Sequence, residues 1–385
     1  RRWYGLHDYV IRYSSEDIKR MESYPGFRHD NRDYYLKPSI SWGKVTIGLF
    51  SARYYPSGFV FDSAAISIFP DHKDIYLGFL NSNVFSKLLS AVSRSMNFTV
   101  GDISKIPIKK EVLNNTSIIT IVNGLLKISK GDSIVFETSF DFQLFPIMSL
   151  PLKLSSVEDS WKNWDSYCTA QIKRMQELET ENNRLFIEAY GLQDELTPEV
   201  PEDQITLVHA DREADMKRLI SYAIGCMMGR YSLDQPGLVY AQSGNIGFDS
   251  TKYQSFPADD DGIVPVMDMD WFEDDAACRF EQFLKVAWTP ETLEENLKFV
   301  AESLSPKSGE TSRDTIRRYI STQFFKDHLQ TYKKRPIYWL FSSGKQRAFE
   351  CLVYLHRYNE STLSRMRNEY VTPLQGKLAA RADFL

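Results

Sequence analysis

Apolar and polar positions change rhythm several times along the chain, and each change predicts an element. Between Trp42 and Phe69 the apolar runs are short and β-type: Val45-Thr-Ile47, Phe59-Val-Phe61 and Ile66-Ser-Ile68, with turn chemistry at Pro56-Ser57-Gly58. From Asp74 the pattern turns helical. Ile75, Leu77, Phe79, Leu80, Val84, Phe85, Leu88, Leu89 and Val92 recur at spacings suited to a helix. The cap-type residues Asn81 and Ser82 interrupt it, which predicts a short helix, a break and a second helix. Ile106-Pro-Ile108 closes this stretch, because Pro107 cannot continue a helix. Residues 112–155 are expected to add strands, with Ile118-Ile-Thr-Ile-Val122 and Ser133-Ile-Val-Phe136 the best candidates. A long helix capped by Ser160 should follow. Trp161, Trp164, Cys168, Ile172, Met175, Leu178, Asn182, Leu185 and Ala189 form its stripe and Gly191 its stop.

Leu196 to Asp203 has the composition of an acidic, Pro-containing linker. Asp211 to Gly229 predicts an amphipathic helix, 234–275 a loop-rich acidic region, and 276–304 and 312–331 further helices, with a flexible joint around Gly309. Ile337-Tyr-Trp-Leu-Phe341 is expected as a buried strand or apolar turn. Ala348 to His356 and Thr362 to Tyr370 are expected as helices. The class is therefore α+β: a mixed α/β domain over 1–155, a spacer helix over 156–195 and a mainly helical domain over 196–385. The length of 385 residues suits two or three domains. No apolar run approaches the roughly 20 residues that cross a bilayer. No signal peptide or internal repeat is visible, and the first residue is Arg, as expected of part of a longer or processed chain. Cys168, Cys226, Cys278 and Cys351 are scattered, which fits a reducing compartment and argues against a zinc ribbon.

Charge changes the picture by its distribution. Residues 1–130 carry a net +7, 131–310 a net −20 and 311–385 a net +8. Two basic ends around an acidic middle suit a protein that meets a polyanion at two places, although the segments could instead neutralise each other. Catalytic patterns fare poorly. Ser342-Ser-Gly-Lys345 lacks the upstream Gly and the Ser/Thr of a phosphate loop and is better placed as a helix entry. Asp259-Asp-Asp-Gly262 lacks the ligand alternation of an EF-hand and is expected as a solvated acidic loop. Asp71-His-Lys73 and Asp215-Met-Lys217 fit a nuclease triplet, at a rate that chance explains in so charged a chain.

DNA-binding chemistry is better represented. Arg53-Tyr54-Tyr55 stands just before the Pro-Ser-Gly turn. From there Arg can bind guanine O6/N7 in a bidentate way and Tyr can reach phosphate or sugar. An ion-paired Arg53 beside core tyrosines is the competing expectation. Lys37, Lys44 and Arg94 are candidate phosphate clamps, and Lys333-Lys334-Arg335 a second clamp ahead of an apolar strand. Ser41, Ser51, Asn97 and Lys345 complete the candidate set. Trp161 and Trp164 are expected to pack within the helix, not to stack on bases.

Four ordered stretches carry a family resemblance. Ser39-Ile-Ser-Trp-Gly-Lys44, Phe50-Ser-Ala-Arg-Tyr-Tyr-Pro-Ser-Gly-Phe-Val-Phe-Asp62, Leu80-Asn-Ser-Asn-Val-Phe85 and Asn97-Phe-Thr-Val-Gly-Asp-Ile-Ser-Lys-Ile-Pro-Ile108 resemble the target recognition domain of DNA adenine methyltransferases and restriction-modification specificity proteins. Glu181-Asn-Asn-Arg184 to Glu188-Ala-Tyr-Gly-Leu192 resembles the helix that follows that domain. With Leu219 to Asp234, Asp261-Gly-Ile-Val-Pro265 and Lys334 to Lys345, the chain resembles PglX-type adenine-specific methyltransferases of bacteriophage exclusion (BREX) systems over nearly its whole length. The resemblance implies a C-terminal segment made of target recognition domain, spacer helix and C-terminal domain. It implies an intact enzyme that methylates adenine N6 from S-adenosylmethionine, with no cofactor and no catalytic residue in this segment. Expected partners are double-stranded DNA, the catalytic half of the same polypeptide and other BREX proteins, with no membrane, in a cytoplasmic, DNA-associated setting. The chain departs from the family pattern in having no Pro-Pro pair, hence no Asn/Asp-Pro-Pro-aromatic motif, and no Gly-rich donor loop. A non-catalytic specificity subunit and a protein-interaction module remain open alternatives.

Overall fold

The computed structural model describes residues 2–384 except 6, 46, 47, 93–97 and 150. It has two compact units: Arg1–Ile134 with Tyr167–His209, and Val135–Ser166 with Ala210–Leu385. Small antiparallel sheets among many helices give the expected α+β class.

The first unit begins with α1 (Ser15–Glu22), started by a reciprocal capping box between Ser14 and Asp17. A three-stranded antiparallel sheet follows, of β1 (Ser39–Gly43), β2 (Arg53–Tyr55) and β3 (Ala65–Ile68), with β1 in the centre. Ser41 stands opposite Arg53 on one side and Ser67 on the other. Paired residues share a face, and faces alternate along a strand. Ile40, Trp42, Tyr54, Ile66 and Ile68 therefore make an apolar face, with Ile40 and Trp42 fully buried. Ser39, Ser41, Arg53, Tyr55 and Ser67 make the other. The expected strand Phe59-Val-Phe61 does not form. Its backbone is a loop in which the Phe59 carbonyl accepts from Leu36 N–H, and Phe61 packs on Tyr35 and Phe69. Of the expected strand Val45-Thr-Ile47, Thr46 and Ile47 lie outside the described residues.

The expected helix break falls where the caps put it. α2 (Lys73–Leu80) ends at Asn81, and Ser82 Oγ accepts from Phe85 N–H to start α3 (Asn83–Val92). Thr99 caps the short α4 (Val100–Ile103). The next expectation is overturned. Residues 116–133 form a helix, α5 (Thr116–Ser133), where strands were expected. Its buried Ile118, Ile121, Val122 and Leu125 recur at helical spacing, and Asn115 Oδ1 accepts from the N–H groups of Ser117 and Ile118. Burial at that period outweighs the β-preference of a local Ile-Ile-Thr-Ile-Val run. The long helix α6 (Val157–Tyr190) carries the expected stripe. It starts earlier than expected, because Ser156 and not Ser160 supplies the cap to Asp159 N–H. Gly191 (φ 70°) then lets Leu192 N–H reach the Ile187 carbonyl and end the helix.

In the second unit, α7 (Arg212–Met227) is buried nearly all round from Leu219 onward, not amphipathic as expected. Gly225 is needed on it: a Cβ there would run into the Tyr231 ring. Chain order continues with β4 (Ile263–Pro265), α8 (Ala276–Ala287), α9 (Leu293–Glu302), α10 (Ser312–Thr322), α11 (Phe324–Thr331), β5 (Tyr338–Ser342), β6 (Glu350–Tyr354), α12 (Thr362–Arg365), a π-helical stretch (Met366–Val371) and α13 (Thr372–Phe384). The helix expected over 348–356 is a strand. All of β6 is buried at the centre of the order β4-β6-β5, and burial on both faces removes the alternation that would mark it as a strand. Ser342-Ser-Gly-Lys345 consequently connects two strands and is no helix entry. The π turn ends two residues before Pro373, which lacks the N–H a regular turn would use.

The acidic run Asp259-Asp-Asp-Gly262 is only partly a solvated loop: Asp260 is exposed, but Asp261 and Gly262 are buried. Its carbonyls at Asp259 and Asp260 accept from the fully buried Arg357 guanidinium, which also lies 3.9 Å from the Phe248 ring centroid. Main-chain carbonyls, Asn245 Oδ1 and the nearby Asp259 and Asp261 charges together satisfy this buried cation.

Two outcomes follow. Gly78 of α2 faces Asn182 Oδ1 and Val122 Cγ2 at 2.8 and 3.0 Å from a built Cβ. Gly78→Ala should therefore cost about 1–3 kcal/mol in urea unfolding. His328 is buried and its Nε2 accepts from Ile337 and Tyr338 N–H at 3.1 and 3.2 Å. Burial, aided by the Arg230 charge, pushes its pKa down to about 3. The folded state therefore binds this proton less readily than the unfolded chain. Its stability contribution is intact above about pH 6.5 and is lost as pH falls towards 3, at up to about 1.4 kcal/mol per pH unit. Urea titrations at successive pH values should show that slope, and His328→Gln should flatten it.

Candidate nucleic-acid interface

Arg53 and Tyr55 occupy an outer strand on the polar face of the first sheet, both half-buried. What fixes them is mostly backbone chemistry. Asn81 Oδ1 accepts from Ala52 N–H at 2.9 Å, and its Nδ2 donates to the carbonyls of Ala52 and Leu77 at 3.0 and 3.2 Å. Trp3 bridges the far side of β2. Its N–H donates to the Ala52 carbonyl at 3.1 Å, and its carbonyl accepts from Tyr54 N–H at 2.8 Å. The Trp3 indole donates in turn to Glu179 Oε1 at 2.6 Å, while Arg2 pairs with Oε2 at 3.1 Å. Burial raises the Glu179 pKa, and the Arg2 charge and the indole bond oppose that rise.

The same unit explains the sequence motifs. Asn182 Nδ2 donates to the Gly78 carbonyl at 3.0 Å. Asn183 Oδ1 accepts from Asn83 N–H at 2.9 Å, and its Nδ2 donates to the Pro198 carbonyl at 3.0 Å. Tyr190 donates to the Pro107 carbonyl at 2.8 Å and stacks on Phe79. These residues hold α2 and α3 and the exit at Ile106-Pro-Ile108 against α6. Sequence reasoning found their motifs but gave them no task. Polar residues inside an apolar period were the available signal.

The candidates fall at varied positions. Lys37 is exposed, its Nζ 5.3 Å from the Tyr34 ring centroid. Lys44 is exposed just past β1, and its main chain bonds Ala64 and Phe98. Ser51 is half-buried in the approach to β2. Ser41 is buried and donates to the Ile66 carbonyl at 2.9 Å. Tyr54 belongs to the apolar face, with Lys73 Nζ 4.7 Å from its ring centroid, and Tyr55 packs with His7 and Phe59. Arg94 and Asn97 lie outside the described residues. Lys333, Lys334, Arg335 and Lys345 belong to the second unit. The first three are exposed after α11, with Lys333 and Lys334 in left-handed conformations, and Lys345 is exposed between β5 and β6.

Asp270, Asp275 and Cys278 bring ligand-type atoms within 4.8 Å of one another, but Arg317 donates to both carboxylates and fills the cation position. Asp215 of the Asp-Met-Lys triplet is buried and accepts from Trp161 Nε1 at 3.1 Å, a packing role for both residues. Among the described residues no helix is long and apolar enough to cross a membrane.

Comparison with known proteins places this geometry. No family model matches the chain. It is 41% identical over 417 aligned residues to the adenine-specific methyltransferase BrxX of Escherichia coli O9:H4 (strain HS), covering 100% of this chain and 34% of that protein. It is 37% identical over 390 residues to the adenine-specific methyltransferase PglX of Lacticaseibacillus casei (strain Zhang), covering 97% of this chain and 32% of that protein. The chain thus spans about a third of the length of these relatives.

Asn81→Ala should strand the buried Ala52 N–H. An expected loss of about 1–3 kcal/mol in urea unfolding would mark the clasp as structural. Local hydrogen exchange should rise at residues 52–54, next to Arg53.

Proposed function

This chain is homologous to a segment of the BrxX and PglX adenine-specific methyltransferases, and we propose that it reads DNA sequence for such an enzyme in BREX defence. The observation that carries this reading is the sheet with one face in the core and Arg53 and Tyr55 fixed on the other, on an outer strand clasped by Asn81 and Trp3. A guanidinium on that face can present its fork to a base edge, where bidentate geometry discriminates guanine. Lys37 and Lys44, both exposed, supply phosphate contacts that position but do not specify.

Methyl transfer belongs to the rest of the enzyme in this reading. S-adenosylmethionine supplies the methyl group there, since this chain offers neither the Gly-rich donor loop nor the Pro-Pro motif. The segment acts on double-stranded DNA in the cytoplasm, beside the catalytic half and other defence proteins.

The test is binding of the 385-residue chain to methylation-site and scrambled duplexes across a salt series. A steep fall with salt together with a retained preference for the site duplex is expected. Arg53→Ala should weaken site binding by about 1–3 kcal/mol and leave scrambled binding nearly unchanged. Equal affinity of both proteins for both duplexes would remove Arg53 from the reading role.

A further inference from the structure

We propose that the outer edge of β5 in the second unit is a strand-addition site for an extended acidic segment of a protein partner. The register leaves that edge open. Leu355 N–H donates to the Ile337 carbonyl and Ser343 N–H to the Phe349 carbonyl, both at 2.9 Å. With Trp339 opposite Val353 and Phe341 opposite Cys351, the Ile337 carbonyl, the Ser343 N–H and the main-chain groups of residues 339 and 341 turn towards β6, while the Ile337 N–H goes to His328. Tyr338, Leu340 and Ser342 turn theirs away. His328 Nε2 takes the Tyr338 N–H. Among the described residues nothing takes the main-chain groups of Leu340 or Ser342, and β5 pairs with no strand but β6. Two alternate residues on one edge lie about 7 Å apart, the repeat an added strand would use.

Three further features say what the added strand would be. Leu340 lines a cavity of about 180 Å³ with Ile320, Phe325, Lys326 and Arg347, sized for one side chain. On the other face of β5, Trp339 is 39% exposed and Phe341 stacks on Tyr358, giving an apolar surface for the alternate side chains. Exposed cations stand at both ends: Lys333, Lys334 and Arg335 before the strand, Lys345 after it. Main-chain bonds at an edge supply affinity, and pockets for alternate side chains supply specificity. Flanking cations on this edge repel a basic strand and attract acidic flanks, which favours an acidic partner segment. A phosphodiester backbone would use the cations but has no side chain for the cavity or for Trp339, which favours a peptide over DNA.

The experiment is amide hydrogen exchange on the 385-residue chain with a short peptide that alternates Glu with Val and Phe, and with its Lys-for-Glu counterpart. The acidic peptide should slow exchange at Leu340 and Ser342 by about tenfold or more. Trp339 and Phe341, already bonded to β6, should change little. The charge reversal Lys333→Glu with Lys334→Glu and Arg335→Glu lies on the exposed surface and should weaken the acidic peptide by about tenfold in fluorescence anisotropy. Leu340→Pro, which deletes an outward N–H, should abolish binding. If that variant does not fold, the charge reversal and the exchange pattern decide alone. No protection at Leu340 and Ser342, equal binding of the basic peptide, or the same protection from a DNA duplex instead of the peptide would each overturn the proposal. None of these outcomes bears on sequence reading by the first unit.

Discussion

Three buried asparagines hold the first unit in its shape, and the position of its outer strand depends on them. Asn81 closes on Ala52, Asn182 on Gly78, and Asn183 on both Asn83 and Pro198. Each is an amide set among apolar neighbours, where an unmatched donor or acceptor would cost about 1–3 kcal/mol. That cost favours this meeting of strand, helix break and long helix, in which each amide has at least one main-chain partner although Asn182 Oδ1 has none. Trp3 and Glu179 add an indole–carboxylate contact on the other side of β2. Arg53 is therefore placed by residues that touch its neighbours' main chain.

Much of the first unit was legible in the sequence because its signals are local. The break at Asn81-Ser82, the stop at Gly191 and the stripe from Trp164 to Asn182 each follow from residues within a turn or two. The failures share a cause. Ile118 to Val122 looks like a strand through a five-residue window, and only the spacing out to Leu125 reveals the helix. Glu350 to Tyr354 shows no alternation because both of its faces are covered, a property of neighbours far away in the sequence. The acidic run at Asp259 was misjudged for the same reason, since Arg357 lies about a hundred residues further on.

Of the candidate interface, the sequence indicated the residue types near Arg53 but not their facing. Ser41 and Arg53 are register partners on one face, yet Ser41 is sealed and bonded to Ile66 while Arg53 keeps partial access. Register and sheet order decide such matters, and neither is written in a single strand. The second unit teaches the complementary lesson. Its apolar helix α7 needs Gly225 so that Tyr231 can lie against it, a requirement of shape that composition does not announce.

The asparagine contacts have one more property. Apart from the Asn side chains themselves, every atom they grip is main chain: the Ala52 amide and carbonyl, the carbonyls of Leu77, Gly78 and Pro198, the Asn83 amide. Main-chain atoms are the same whatever residue carries them. A lineage could therefore exchange the side chain at position 53 or 55 without losing these amide contacts. Retargeting and stability would then be set by different residues, so a new preference could arise in a few steps with the old architecture intact.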